Sequence, residues 1–245
     1  MIEISSQSGV CVIELARPDK RNAMLPGMLD QLHEAIASSH DALALAILGQ
    51  GKTFCAGFDL KACAADPGGE TMRALLTGLS RCVGAMREHP APVVLGVHGA
   101  AVAGGCALLG GADVVIADRT AKLGYPVVRI GVSPAVSSPY MLAAMREGVV
   151  RARLLDTELI DAGHALRLGM VHELCEEPGD VRHRTLQAAE TLASKPGSGC
   201  KATKRWLNEI CSVTDERAGA GLNASLELTG NDEEMARLAA LWGSS

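Results

Sequence analysis

Apolar and polar positions follow two different periods along the first two thirds of the chain. Short apolar runs at residues 44–48 and at Val93–Val97 predict buried strands, and residues 2–5 with Val10–Leu15 predict a hairpin. Between these runs, Pro26–Ser38 carries apolar residues at helical spacing, as does a longer segment near residue 80. This alternation of strands and helices predicts an α/β fold as far as about residue 177.

The pattern of apolar and polar residues changes after a Pro-Gly pair at residues 178–179. From there the pattern is helical to the end, and the predicted helices cover residues 181–193, 200–210, 215–228 and 232–242. We therefore expect two parts, an α/β core over residues 1–177 and a C-terminal helical region over residues 178–245.

A glycine-rich turn follows the strand Val93–Val97, and an apolar helix running toward Gly111 is predicted to begin there. Adjacent Gly104 and Gly105 allow close approach of the backbone to a ligand and leave N–H groups free at the helix start. Such a turn suits an oxyanion. The same glycines would also serve close packing of a helix on a strand, so the turn alone does not identify a site.

A second segment, Phe-Cys-Ala-Gly-Phe-Asp-Leu at residues 54–60, follows the other buried strand. Upstream lies Arg-Pro-Asp-Lys-Arg-Asn-Ala at residues 17–23, and downstream lie apolar and Tyr-Pro segments at residues 113–117 and 125–131. In this order, with the Leu-Gly-Met-Val ending at residue 171, the set resembles the crotonase superfamily, which includes enoyl-CoA hydratases and isomerases. The resemblance implies a spiral of ββα units with a C-terminal helical region that forms a homotrimer, often doubled to a hexamer.

The resemblance also implies a site for an acyl-CoA thioester, with coenzyme A entering only as part of the substrate. The thioester oxygen would lie between the backbone N–H groups of Phe58 and Gly104, which form an oxyanion hole. The nucleotide and pantetheine would contact backbone or basic side chains at Lys20, Arg21, Ala23, Ala56, Asp59 and Leu60.

Two positions depart from the family pattern. Hydratases of the family carry glutamates where this chain has Ala107 and Val127. Hydration requires one group to deprotonate water and another to protonate the α-carbon, and neither side chain can do so. We therefore expect chemistry other than the two-glutamate hydration. Tyr125 could supply a proton or hydrogen bond, or it could pack as an ordinary half-buried tyrosine.

Composition excludes several other classes of function. The 245 residues have a net charge of −5 without a basic cluster, which argues against nucleic-acid binding. Eight cysteines form no CxxC pair, and the N-terminus lacks a secretory pattern, so we expect free thiols, no metal site and a cytoplasmic protein. Residues 92–117 are apolar enough to resemble a membrane span, but His98, Asp113 and the glycines favour a strand, a turn and a buried helix.

Three hypotheses of function remain open at this stage. The first is an enzyme that uses the oxyanion hole without the usual acids. Decarboxylation fits this hypothesis best, because loss of the carboxylate as carbon dioxide forms the enolate and no base is required. Isomerisation and hydrolysis fit less well. The second is a non-catalytic protein that binds or delivers acyl-CoA. The third is a structural paralogue that joins mixed oligomers with active relatives.

Overall fold

The computed structural model describes residues 1–210 and 213–241, which contain nine strands and eleven α-helices. The strands are β1 (Ile2–Gln7), β2 (Val10–Leu15), β3 (Ala44–Gly49), β4 (Val93–Val97), β5 (Ala100–Val102), β6 (Val114–Asp118), β7 (Lys122–Gly124), β8 (Ile160–Asp161) and β9 (Glu173–Cys175). The helices are α1 (Pro26–Ser38), α2 (Leu60–Ala64), α3 (Glu70–Glu88), α4 (Gly104–Ala107), α5 (Ser138–Ala144), α6 (Glu147–Leu155), α7 (Ala162–Leu168), α8 (Asp180–Ala193), α9 (Gly197–Ile210), α10 (Asp215–Leu226) and α11 (Asp232–Ala240). Short 3₁₀ helices cover Pro18–Lys20, Leu108–Gly111, Pro126–Ile130 and Pro134–Ser137.

The strands form two sheets. The larger has the order β1-β2-β3-β4-β6-β9, in which β1 is antiparallel to β2 and all other neighbours are parallel. The smaller has the order β5-β7-β8, with β5 parallel and β8 antiparallel to β7. This arrangement confirms the predicted α/β fold, with a helical region after the last strand.

Alternate residues of the central strands enter two hydrophobic cores, as the twofold period of a strand requires. In β3, Leu45 and Ile47 face the larger core under α1 and α3, whereas Ala44, Ala46 and Leu48 face a smaller core under α8. Both faces of the parallel sheet are therefore covered, which explains why these strands read as continuous apolar runs.

The parallel pairing of β3 with β4 positions the two glycine-containing segments. Leu45, Ala46 and Ile47 pair with Val93, Val94 and Leu95, so the two strands end at the same edge of the sheet. The segment after β3 and the turn after β4 consequently emerge side by side, although about fifty residues separate them along the chain.

The predicted helices agree with the structure more closely than the predicted turn does. Helix α1 covers the expected residues, and α8 to α11 lie where the helical pattern placed them as far as residue 240. The glycine-rich stretch differs, because it first forms strand β5 and then only a four-residue α4. The chain continues as a 3₁₀ helix over Leu108–Gly111, where the prediction had one helix.

The apolar stretch at residues 92–117 contains strands, a turn and short helices. Among residues 1–210 and 213–241, no helix combines the length and hydropathy that a membrane span needs. The seven cysteines within these ranges are free thiols, and five of them are buried.

Candidate active site

The segment after β3 is held in an extended form by hydrogen bonds on both sides. Cys55 donates its N–H to the Ala100 carbonyl at 3.1 Å and accepts at its own carbonyl from Val102 N–H at 3.0 Å. On the other side, Met24 donates to the Gly57 carbonyl at 2.8 Å and accepts from Asp59 N–H at 2.9 Å. Phe58 lies between these last two bonds, and its own N–H is left out of the ladder.

Gly57 brings this segment against the turn after β5. Its φ is +93°, a conformation that favours glycine. A Cβ atom there would lie 2.9 Å from the Val102 carbonyl oxygen, 3.1 Å from Ala103 Cβ and 3.6 Å from the backbone nitrogen of Gly104. A larger residue would therefore separate the two segments.

The turn itself is strained at one residue. Ala103 has φ 52° and ψ −116°, and its N–H donates to the Gly124 carbonyl at 2.8 Å. Non-glycine residues rarely adopt positive φ, and such strain persists only where the surrounding structure enforces it. The consequence is that the chain turns sharply before Gly104, the first residue of α4.

Gly104 packs so closely on the first segment that a side chain would not fit without movement. A Cβ atom there would lie 2.8 Å from Phe58 Cε1 and 2.8 Å from Met24 Cε. Neither the Phe58 N–H nor the Gly104 N–H has a hydrogen-bond acceptor within the described ranges. Two unpaired donors from neighbouring segments make an arrangement that can stabilise an oxyanion.

Both donor residues line a cavity of about 530 Å³. Most of the wall is aliphatic, from α3, the segment over residues 126–136 and the C-terminal end of α11 with the residue after it. The lining residues from these elements include Met72, Leu76, Leu79, Val127, Ile130, Val132, Val136, Ala240 and Leu241. An apolar wall of this kind suits an acyl chain.

Ala107 and Val127, the positions at which the family resemblance implies glutamates, both line this cavity. Of the described lining residues, none is an aspartate, glutamate or histidine, and the charged ones are Arg129 and Arg237. Arg129 pairs with Glu158 outside the cavity at 2.8 Å, and both arginine side chains are more than half exposed. The described lining therefore combines two unpaired backbone N–H groups with no side chain of ordinary general-base type.

The neutral polar side chains of the cavity are Tyr125, Ser133 and Ser137. Tyr125 is almost fully buried, and burial raises the pKa of its phenol well above the usual range, so the group remains protonated. Burial also raises the pKa of Cys106 to about 12, which makes this thiol unreactive at neutral pH.

The six residues predicted to bind coenzyme A divide into three pairs. Ala56 and Leu60 line the cavity next to the donors. Lys20 and Arg21 are exposed and do not line it, but the Arg21 carbonyl accepts from Ala56 N–H at 3.0 Å, which puts this loop beside the first segment.

Ala23 and Asp59 are joined by an arginine that sequence reasoning did not select. Arg17 donates from Nη1 to the Ala23 carbonyl at 2.6 Å and from Nη2 to Asp59 Oδ2 at 2.9 Å. Asp59 also begins α2, where its side chain accepts from Ala62 N–H. Both carboxylate oxygens of Asp59 therefore have structural partners.

Asn22 is a second positioning residue that was missed. It has no exposed surface, and its side-chain nitrogen contacts the carbonyls of Gln50, Thr53 and Phe54 at 2.8–3.1 Å. Its oxygen accepts from Arg17 N–H at 2.8 Å. Inside a polar run such as residues 17–23, no pattern of the sequence distinguishes a buried asparagine from an exposed one.

The sequence matches the family described as Enoyl-CoA hydratase/isomerase over residues 5–236. It is 31% identical over 233 residues to a putative enoyl-CoA hydratase from Thermus thermophilus, with 92% of each chain covered. It is 32% identical over 207 residues to a probable enoyl-CoA hydratase from Rhodobacter capsulatus, covering 83% of this chain and 79% of the relative.

The fold is similar to a crystal structure of an enoyl-CoA hydratase/isomerase from Xanthobacter autotrophicus. That comparison has a TM-score of 0.89 at 26% identity and covers 99% of this chain and 93% of the other. A crystal structure of an enoyl-CoA hydratase from Bacillus halodurans matches with a TM-score of 0.87 at 22% identity, covering 98% and 99% of the two chains.

Proposed function

Because the chain belongs to the enoyl-CoA hydratase/isomerase family, we propose that it binds an acyl-CoA thioester in the cavity beside α4. The thioester carbonyl oxygen would accept hydrogen bonds from the N–H groups of Phe58 and Gly104. Neither N–H has an acceptor among the described residues. This supports the proposal, because a buried N–H group that lacks an acceptor costs free energy.

These donors act on charge that develops during reaction. When a carbanion forms next to the thioester carbonyl, its electrons move onto the carbonyl oxygen as an enolate. Each preorganised donor contributes about 3–4 kcal/mol to stabilising such an oxyanion. Because both donors are backbone groups, the changes at Ala107 and Val127 do not remove them.

The reaction that this site supports best is decarboxylation of a malonyl-type thioester. The bond between the α-carbon and the carboxylate breaks, its electron pair enters the enolate, and carbon dioxide leaves. The α-carbon then takes a proton that ultimately comes from solvent. The observation that carries this proposal is the absence of carboxylate and imidazole side chains among the described residues that line the cavity, because forming the enolate this way needs no base.

Coenzyme A would run from the cavity toward the loop at residues 17–23. Ala56 and Leu60 would contact the pantetheine, and Lys20 with Arg21 would lie near the phosphates. The hydrogen bond between Ala56 and Arg21 supports this path, because it joins the cavity wall to the basic loop.

The test is mass spectrometry of a mixed pool of acyl-CoA thioesters, including malonyl-type and enoyl species, after incubation with the pure protein. We expect loss of carbon dioxide from a malonyl-type thioester. A gain of water by an enoyl thioester would instead show that hydration proceeds without the two glutamates, and would refute this proposal.

Carriage of acyl-CoA without chemistry is the second candidate. The observation in its favour is the same lack of acid–base side chains among the described residues that line this apolar cavity. A carrier would retain particular thioesters through gel filtration and leave every one of them unchanged, whereas the enzyme would release a new product.

We also propose that the protein forms a homotrimer or a dimer of trimers. Helix α9 supports association because it exposes a contiguous apolar face. The exposed fractions of Trp206, Leu207 and Ile210 on this face are 60%, 48% and 54%. Apolar residues exposed together on one helix face are typical of surfaces that pack against another chain.

A further inference from the structure

A second cavity lies beside the acyl cavity, and Tyr125 lines both of them. The second cavity has a volume of about 210 Å³. Of the described residues that line either cavity, Tyr125 is the one that the two cavities share. Only 3% of Tyr125 is exposed, so the space that its ring fills lies inside the protein.

The border between the two cavities can be followed through two helices. In α4, Ala107 lines the acyl cavity, whereas the residue before it, Cys106, lines the second cavity. At the start of α5, Ser137 lines the acyl cavity, whereas Tyr140, three residues further on, lines the second. The border therefore crosses α4 and the start of α5, and Tyr125 lies on the same border.

The backbone holds Tyr125 close to the oxyanion turn. The carbonyl of the preceding Gly124 accepts from Ala103 N–H at 2.8 Å, and Ala103 is the residue before the donor Gly104. On its other side, Pro126 restricts the backbone conformation of the residue that precedes it. An acyl chain that leaves the thioester carbonyl toward this wall of the cavity would therefore meet Tyr125.

The second cavity offers apolar surface beyond Tyr125. Its apolar lining includes Leu109, Met141, Met145 and Met170. Methionine side chains are flexible and adapt to ligands of different shape. The two residues with charged side chains that line the cavity within the described ranges already have partners. Asp113 accepts from Lys204 Nζ at 2.7 Å, and Arg87 donates to the Gly110 carbonyl at 3.4 Å. The remaining surface suits hydrocarbon.

We propose that the ring of Tyr125 is the partition between the two cavities, and that it sets the longest acyl chain the protein can bury. This inference rests on the proposed binding of an acyl-CoA thioester, and it does not depend on which reaction follows. Without the ring the two cavities would join, and a longer chain would bury its end among the methionines. Each methylene group buried in this way would tighten binding about fourfold.

The experiment measures Kd by calorimetry for saturated, straight-chain thioesters from butyryl-CoA to dodecanoyl-CoA. These probes lack a carboxylate that could leave as carbon dioxide, so the titration reports binding without decarboxylation. In the parent protein, we expect affinity to rise with chain length and then to level off. In Tyr125→Ala, the rise should continue to longer chains. Dodecanoyl-CoA should then bind at least about tenfold more tightly than to the parent, and butyryl-CoA nearly equally.

Two variants serve as controls. Tyr125→Phe keeps the ring and should retain the parent's limit of chain length. Tyr140→Ala is the matched control, because it removes the other tyrosine of the chain, which is 4% exposed and lines the second cavity but not the acyl cavity. It should enlarge the second cavity without opening the partition, so the parent's limit should remain. Circular dichroism verifies that each variant is folded.

The inference is overturned if Tyr125→Ala levels off at the same chain length as the parent, or if Tyr140→Ala extends the limit equally. It is also overturned if affinity for the parent still rises at dodecanoyl-CoA. If Tyr125→Ala does not fold, Tyr125→Leu replaces it, and an unchanged limit has the same meaning. A folded parent that binds none of these thioesters refutes the proposed function, whereas every other adverse outcome leaves acyl-CoA binding in place.

Discussion

Replacing Asn22 by alanine tests how the first donor segment is held in place. The side-chain nitrogen of Asn22 lies 2.8 Å from the Gln50 carbonyl, 2.9 Å from that of Thr53 and 3.1 Å from that of Phe54. Its oxygen accepts from Arg17 N–H at 2.8 Å. One buried side chain therefore joins the basic loop to the chain just before Phe58.

The expected cost follows from these contacts and from the backbone. An amide group has two protons, so the side chain makes three full hydrogen bonds, each worth about 1 kcal/mol of net stability. The φ of Asn22 is 53°, and alanine in this region costs about 1 kcal/mol more than asparagine or glycine. We therefore expect Asn22→Ala to lower the free energy of unfolding by about 4 kcal/mol, because it also leaves the backbone groups that bond to Asn22 without partners inside the protein.

Urea unfolding followed by circular dichroism, at one protein concentration, measures this free energy. Asn22→Gly removes the same hydrogen bonds but accepts a positive φ, so it should cost about 1 kcal/mol less than Asn22→Ala. Asn223→Ala, on the exposed face of α10, is the control and should change stability by less than about 0.5 kcal/mol. If Asn22→Ala lowers the free energy of unfolding by less than about 1.5 kcal/mol, the contribution assigned to the buried hydrogen bonds of Asn22 is refuted.

Three further predictions concern the oxyanion turn, the pH dependence and the assembly. In Gly104→Ala the new Cβ would lie 2.8 Å from Phe58 Cε1, so we expect turnover of the malonyl-type thioester to fall at least tenfold, about 1.4 kcal/mol, and undiminished turnover would contradict the site. Burial lowers the pKa of His172, whose Nδ1 accepts a backbone N–H at 2.9 Å, so the unfolded chain binds this proton more tightly and the urea midpoint should fall as the pH drops below about 6.5. His172→Gln should reduce that slope, and an unchanged slope would exclude His172 as the cause. Trp206→Glu should shift the sedimentation coefficient from trimer toward monomer, and an unchanged trimer would locate the interface elsewhere.

The periodicity of apolar residues was sufficient to predict most helices and strands. It was insufficient to predict the structure of the glycine-rich turn after β4. Helix α1 and strand β4 begin and end where apolar spacing predicts. Burial of one helix face, or of a whole strand, produces a pattern of apolar residues within one short stretch of sequence. The strand β5 could not be predicted in this way. Its three residues pair with β7 and, at one bridge, with Cys55, so the partners that make it a strand lie far away in the chain.

The same distinction separates the residues of the candidate site. The family resemblance identified Phe58 and Gly104 as candidate backbone donors. In the structure both residues line one cavity, and their N–H groups are unpaired among the described residues. Tyr125 was also a candidate, and its almost complete burial in the cavity wall depends on how the chain folds between β7 and α5. Asn22 was missed altogether, because its burial results from partners 28 to 32 residues away.

Under the proposed function, the site would keep the family's substrate class and carry out a reaction other than two-glutamate hydration. The path of the backbone determines the two donors, through the positive φ at Gly57 and at Ala103 and the hydrogen bond from Ala103 to Gly124. None of these features depends on the side chains at residues 107 and 127. Under the proposed function, alanine and valine at the two positions where the family resemblance implies glutamates would leave enolate stabilisation intact. What remains under that proposal is chemistry in which the substrate supplies its own electron pair and the α-carbon takes a proton that ultimately comes from solvent.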